Sequence, residues 1–325
     1  MAQKAIKQNI SIDHYPVIKG INHDNNNTVQ DFFESFFTTG IQASNLARAK
    51  QIIDEMRKEG ATIFLSFTSN MVSSGVRESI RWLVENKLVD VLCTTAGAIE
   101  EDYIKCFGDF HLGDFSAPGR VLHEGGIQRI GNIFVPVMRY TVFEQRFAPL
   151  LDKLGKEGVL TTTELLRAMG NQLITLENEA NSRSSILYWA AKNDIPYFCP
   201  AATDGALGDM IYFAKQRNKD FVLDTSSDMK KIVDLAINAE TTAVICLGGG
   251  VAKHHVLNAM IFRDGCEYAV YINTGDESEA SDSGANTQEA ITWSKIKTNA
   301  EHVKVKADAS IVFPLLVEAC FKKTY

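Results

Sequence analysis

An excess of basic residues is missing from this chain. Its 33 Lys and Arg against 40 Asp and Glu leave a net charge of −7 over 325 residues. That balance argues against a broad surface for nucleic acid or anionic membrane. No C-x-x-C pair occurs among the six cysteines, and Cys93, Cys199 and Cys246 sit inside apolar runs. Such thiols read as buried and reduced, as in a cytoplasmic protein. No N-terminal stretch looks like an export signal, and no apolar run approaches the length of a membrane span. With no export signal, the "NNT" at 26–28 carries no weight as a glycosylation site. Internal repeats, low-complexity tracts and the G-x-G-x-x-G fingerprint of ordinary dehydrogenases are likewise absent.

What the chain does have is a series of short apolar runs rich in β-branched and aromatic residues. They are 61–68, 89–95, 131–137, 195–201, 221–225, 242–250 and 267–274, with a more alternating run at 301–308. Helical patterns at 70–86, 161–192, 227–239, 251–263 and 310–322 lie between them. Continuous apolar strands separated by helices predict a mainly parallel sheet covered on both faces. The expected fold is therefore a doubly wound, Rossmann-like α/β domain. Residues 31–325 should form one large unit, preceded by a loosely organised segment at 1–30.

Six of these runs end in small or polar residues: "TSN", "TTAG", "TDG", "LGGG", "NTG" and "ADAS". Good turn and capping residues account for any one of them. Six together favour a nucleotide site at the carboxyl ends of the strands, where small residues let backbone N–H groups approach a pyrophosphate.

Several constellations could carry chemistry. Glu100 and Glu101 follow a strand end and could hold a ribose hydroxyl or an ammonium, although charge in a first helical turn is the plainer explanation. Asp204 and Asp209 lack a third ligand at metal spacing, so binding an amine suits them better than binding a metal. His254 and Asn258 share a helix face just after the three glycines. A histidine there suits acid–base work near neutral pH or a satisfied core hydrogen bond equally well. Lys295 follows "NTQEAITW", in which Asn286 and Glu289 match a helix N-cap and its acidic partner. A short helix from Asn286 should put Glu289 and Trp293 on one face and Lys295 near its end. Lys295 is then either a surface lysine or a nucleophilic amine in an acidic pocket. The nucleophile would need desolvation against Trp293 or a cation nearby. Many acids beside one Trp suit a polyamine, with carboxylates on its nitrogens and the indole over its methylenes.

The segments "TSNMVSSGVRESIRWLV", "TTAGAIEEDYIKC", "PAATDGALGDMI", "LGGGVAKHH", "YAVYINT", "SDSGANTQEAITWSKI" and "VKADASIVFPLL" closely resemble the deoxyhypusine synthase family, from about Phe32 to the C-terminus. The resemblance implies an NAD-dependent transferase. The family moves the aminobutyl group of spermidine through an enzyme–lysine imine to one lysine of the initiation factor 5A precursor. It implies Lys295 as the Schiff-base nucleophile and His254 as the proton shuttle. NAD contacts are expected from Ser69, Asn70, Met71, Val72 and Ser73, and from Thr95, Ala96, Gly97 and Glu101. Further contacts should come from Asp204, Gly249, Thr274, Gly275, Asp308 and Ala309. The spermidine pocket is expected to include Glu100, Glu101, Asp209, His254, Asn258 and Ala280. Ser281, Asp282, Ser283, Glu289, Trp293 and Lys295 should complete it.

The family also implies a homotetramer with active sites at dimer interfaces, where an N-terminal segment can cover a neighbour's entrance. That segment matches weakly here. Ala98 and Ala280 stand where the family usually has Gly, and Gly275 where it often has Ala. Three rival functions are transfer to putrescine, as in homospermidine synthase, an inactive regulatory paralogue, and a general NAD-binding regulator. Retention of Lys295, His254 and Glu289 together speaks against the inactive paralogue, and the acidic amine pocket against the general regulator.

Overall fold

A computed structural model describes residues 11–322 apart from Glu157 and Glu179. The described chain begins α1 (Val29–Thr39), α2 (Ile41–Lys58), β1 (Thr62–Phe67), α3 (Asn70–Ser73), α4 (Val76–Glu85), β2 (Val91–Cys93) and α5 (Ala96–Ile104). It continues through β3 (His111–Leu112), α6 (Gly119–Glu124), β4 (Ile127–Ile130), β5 (Ile133–Pro136) and α7 (Met138–Leu154). Next come β6 (Val159–Thr161), α8 (Thr162–Thr175), α9 (Ile186–Asn193), β7 (Tyr197–Phe198), α10 (Gly205–Arg217), β8 (Val222–Asp224) and α11 (Ser226–Asn238). The last elements are β9 (Thr242–Leu247), α12 (Gly250–Met260), β10 (Cys266–Asn273), α13 (Thr287–Thr292), β11 (Ile296–Lys306) and α14 (Ala309–Leu316).

Six strands form one parallel sheet in the order β11-β10-β9-β1-β2-β7. The chain winds outward from β1 to β7, returns to the middle at β9 and winds out the other way to β11. That reversal between β1 and β9 is the switch point of a doubly wound sheet. Alternate side chains of β1 feed two cores. Ile63, Leu65 and Phe67 pack on the side of α2, α4, α5 and α14, while Phe64 packs with Val244, Cys246 and α12. All six residues of β9 are buried, which is why that strand reads as an unbroken apolar run. The six cysteines are buried, and no disulfide joins them among the described residues. Among those residues no helix is long and apolar enough to cross a membrane.

Other expectations needed correction. The run 131–137 is the antiparallel strand β5 of a small sheet ordered β3-β5-β4. The run 221–225 is β8, which pairs with β6 outside the main sheet. The helical pattern 161–192 breaks into α8 and α9 with a 3-10 turn between them. Residues 29–58, not singled out from the sequence, form α1 and α2. Thr28 opens α1 with a capping box to Asp31, which gives the threonine of the "NNT" a structural task. Residues 11–28 carry no helix or strand, and residues 1–10 of the expected N-terminal segment lie outside the described residues.

Candidate active site

The carboxyl ends of β1, β9, β10 and β11 surround a cleft of about 440 Å³. Thr68, Asn70, Met71, Gly249, Thr274, Gly275, Asp308 and Ala309 line it. Asp308 caps α14 by accepting from Ser310 N at 2.9 Å. Continuing along the same edge, the end of β2 carries Thr95, Ala96 and Gly97, with Ser69 packed 3.0 Å from where a Gly97 Cβ would stand. Val72 and Ser73 are buried there, and Ser73 Oγ donates to Glu101. The end of β7 carries Asp204, which caps α10 by accepting from Gly205 N at 2.9 Å. Asp209 projects, exposed, from the first turns of α10.

A second, tighter crevice of about 10 Å³ lies beside β10 and α13. His254, Ser281, Asp282, Glu289, Trp293 and Lys295 line it, together with Lys253 and Tyr271. Asn286 caps α13 by accepting from Gln288 N and Glu289 N. The helix stops at Thr292, and Lys295 lies beyond it, after Ser294 in the left-handed region at φ +52°. Lys295 is therefore the residue entering β11 rather than the end of the helix. It is buried, at 8% exposure, with its Nζ 6.0 Å from the Trp293 ring centroid. His254 Nε2 stands 3.7 Å from an Asp282 carboxylate oxygen. Asn258 lies one turn along α12 and does not line the crevice.

The residues assigned from sequence to one amine pocket thus fall into two groups. Glu100, Glu101 and Asp209 belong to the β2 and β7 ends, where the expected NAD contact Asp204 also lies. Three strand spacings, roughly 14 Å, separate β2 from β10, and four, roughly 19 Å, separate β7 from it. None of these acids lines the crevice that holds Lys295. Glu100 is moreover engaged by the fold, accepting from Leu207 N at 2.7 Å at the start of α10.

A strap joins the cleft to the crevice. Residues 275–284 leave β10, cover the glycine turn after β9, and return towards α13. Gly250 N donates to Asp282 O at 2.6 Å, and a Cβ on Gly249 would stand 2.6 Å from the same oxygen. The glycines of "LGGG" therefore admit the chain's own strap, a contact that their sequence pattern does not distinguish from a phosphate. Ser283 faces the cleft while Ser281 and Asp282 face the crevice. Ala280 lies on the exposed strap at φ +52°, a conformation that Gly would adopt without strain. A Cβ on Gly275 would approach Gly284 Cα to 3.0 Å, so Ala fits there only if the strap shifts.

The deoxyhypusine synthase family model matches residues 31–320. The chain belongs to the deoxyhypusine synthase family. It is 41% identical to the Kluyveromyces lactis deoxyhypusine synthase over 99% of this chain and 96% of that one. With the Neurospora crassa deoxyhypusine synthase the identity is 45%, covering 91% and 87%. A solved structure assigned to deoxyhypusine synthase, from Entamoeba histolytica, is 32% identical with a TM-score of 0.64, covering 94% and 96%. Like its deoxyhypusine synthase relatives, this family member is an enzyme, a transferase.

Sequence reasoning missed Lys253, Tyr271 and Lys304 around this candidate site. Lys253 is 2% exposed on the buried face of α12, in line with Val256, Leu257 and Met260. The available signal was periodicity: a lysine stands at a position of the i, i+3, i+4, i+7 stripe where an apolar residue belongs.

Burial pushes the Glu100 and Glu101 carboxyls up to about 7, against the help Glu100 receives from Leu207 N and Glu101 from Ser73 and Lys105. Burial also lowers the Lys105 ammonium to about 8. A carboxyl whose folded pKa is raised binds its proton more tightly in the folded chain. Stability therefore falls as pH rises from about 4.5 to about 7, and the cost is complete above that window. Glu101→Gln keeps an acceptor for Ser73 but removes the charge. It should be more stable than the native chain at pH 8, by roughly 2 kcal/mol, and equal to it near pH 4. Denaturant titrations at both pH values measure this. Equal stability at pH 8 would mean that Glu101 is charged there without penalty.

Proposed function

We propose that the protein moves the aminobutyl group of spermidine to one lysine of the initiation factor 5A precursor, using NAD and an imine on Lys295. The observation that supports this most directly is a buried lysine amine in a crevice with Asp282, Glu289, His254 and Trp293, one strap away from the switch-point cleft. Asp282 and Glu289 supply carboxylates for a polyamine's ammonium groups, and the Trp293 face, 62% exposed, can cover its methylenes.

The cleft suits a dinucleotide. Its glycine floor lets a ligand approach the backbone, and Thr95 Oγ1 and Asn273 Nδ2 are buried at the neighbouring strand ends without a partner. NAD would be held by the β1, β9, β10 and β11 ends and would supply the two-electron oxidation of the amine and the final reduction. His254, at the mouth of the crevice, takes the proton of the secondary amine, which must leave before the adjacent carbon can be oxidised. The Lys295 amine then adds to the imine carbon of the aminobutyl group and expels diaminopropane. The acceptor lysine repeats that exchange and frees Lys295.

The separation of Glu100, Glu101 and Asp209 from Lys295 supports a homotetramer in which each site draws on two subunits. The crevice is also too small for spermidine on its own, so a neighbouring chain and the exposed Trp293 face would complete the pocket. In this reading residues 31–325 are the catalytic unit, residues 1–30 an appended segment, and the protein works in the cytoplasm without nucleic acid or membrane.

The test is incubation of the full chain with NAD, spermidine labelled in the aminobutyl group, and the precursor factor. Label on one lysine of the factor is expected. After borohydride treatment without acceptor, label should appear on Lys295. Label passing to putrescine and not to the factor would assign the homospermidine reaction instead. Label on neither Lys295 nor the factor would overturn the proposal.

A further inference from the structure

The 275–284 strap is closed at its neck. Its two ends touch at Gly275 and Gly284, and a Cβ on Gly284 would collide with Asp276 O. Lys304, on β11 opposite Tyr271, donates to both neck carbonyls, at 2.8 Å to Gly275 O and also to Gly284 O. Lys306 pairs with Asp276 beside the neck. At the far end Lys253 Nζ donates to Ser281 O at 3.2 Å and lies 4.6 Å from the Tyr271 ring centroid. A cation buried this completely is costly to desolvate, and one carbonyl and one aromatic face are thin compensation. Burial lowers its pKa. The titratable groups that face it are the Cys246 thiol from β9, Lys304 from β11, Asp282 from the strap and Glu289 from α13.

We infer that Lys253 and Lys304 are positioning residues that clamp the strap at two points, Lys304 setting both pockets and Lys253 the lysine crevice alone. The neck held by Lys304 bears Gly275 and leads to Glu279 and Ser283, which line the cleft. The point held by Lys253 bears Ser281 and Asp282, which line the crevice. Because one closed loop carries both sets, whatever orders the strap on the cleft side also fixes Asp282 on the amine side. Lys253 performs this task at an electrostatic cost, since its charge opposes a cationic ligand beside Asp282 and Glu289. The two effects have opposite signs, which makes the clamp testable.

The inference rests on the proposed reading for the identity of its ligands. The probes are spermidine and NAD, bound to the full native chain and to Lys253→Met and Lys304→Met. Failure of the native chain to bind either probe would refute the functional reading, and strap cleavage then tests the clamp alone. Lys253→Met should raise the spermidine KM by about tenfold, with kcat and NAD affinity within about threefold of native, as loss of a charged hydrogen bond implies. Lys304→Met should weaken both probes, and Lys304→Arg should restore part of the loss. Limited proteolysis should cut within 276–283 faster in both Met variants, a readout independent of either ligand. Tighter spermidine binding by Lys253→Met would show that its charge, not its grip, matters and would overturn the inference. Unchanged cleavage of the strap in both Met variants would overturn it as well.

Discussion

Lys295→Arg is expected to abolish aminobutyl transfer while leaving the fold and NAD binding in place. Arginine keeps the charge but does not lose its proton at working pH, so it cannot add to an imine carbon. The geometry sharpens this expectation. Lys295 enters β11 with its carbonyl accepting from Cys266 N at 3.2 Å and its own N–H bound to Ala290 O at 3.0 Å. The backbone there is fixed by the sheet and by α13, so substitution changes the head group and not its origin. The switch-point cleft, formed by other strand ends, is untouched. Loss of label on both the enzyme and the acceptor, with NAD still retained on equilibrium dialysis, is the expected result. Appreciable transfer by Lys295→Arg would assign the nucleophile elsewhere.

Asp102→Ala should be the most destabilising change in the neighbourhood of the cleft, without touching it. Asp102 is fully buried and serves four partners. It accepts from Arg77 Nε at 2.7 Å, Ser185 Oγ at 2.7 Å, Ile186 N at 3.1 Å and Leu187 N at 2.9 Å. Removing it leaves the buried Arg77 guanidinium without the Asp102 carboxylate, and Ile186 N and Leu187 N at the start of α9 without their acceptor. Breaking one side of such a pair typically costs about 3–5 kcal/mol. Urea denaturation monitored by far-ultraviolet circular dichroism would measure the loss. A decrease below about 1 kcal/mol would mean that water replaces the carboxylate, and that the pair contributes little.

"EED" at 100–102 shows where reading the sequence stops. Its three acids look alike in the chain, and the plainer reading of Glu100 and Glu101, charge in a first helical turn, fails because α5 begins at Ala96 and has no acid in its first turn. The fold gives each a different task. Glu100 faces the start of α10, Glu101 takes the Ser73 hydroxyl, and Asp102 holds Arg77 and α9 together. Each partner is supplied by an element distant in sequence, and no local pattern specifies it. The same limit separates Asp209 from Lys295. Both are exposed to the same reasoning about acids and amines, but strand order sets how far apart they stand.

The parallel sheet, the small and polar strand ends that border the cleft and the Asn286 cap were legible in the residues because each depends on local information. A strand covered on both faces must be apolar throughout, a βα turn must be small or polar, and an N-cap needs a short acceptor three residues before its helix settles. The family, too, was legible, since its motifs are contiguous. Tertiary structure alone decided that 131–137 turns back as a hairpin, that 221–225 leaves the main sheet, and that "LGGG" makes room for the 275–284 strap. It alone placed Lys253 under that strap. A strand's partner and a glycine's neighbour come from across the chain, and the free energy that selects them is burial summed over many contacts, which no short stretch of sequence contains.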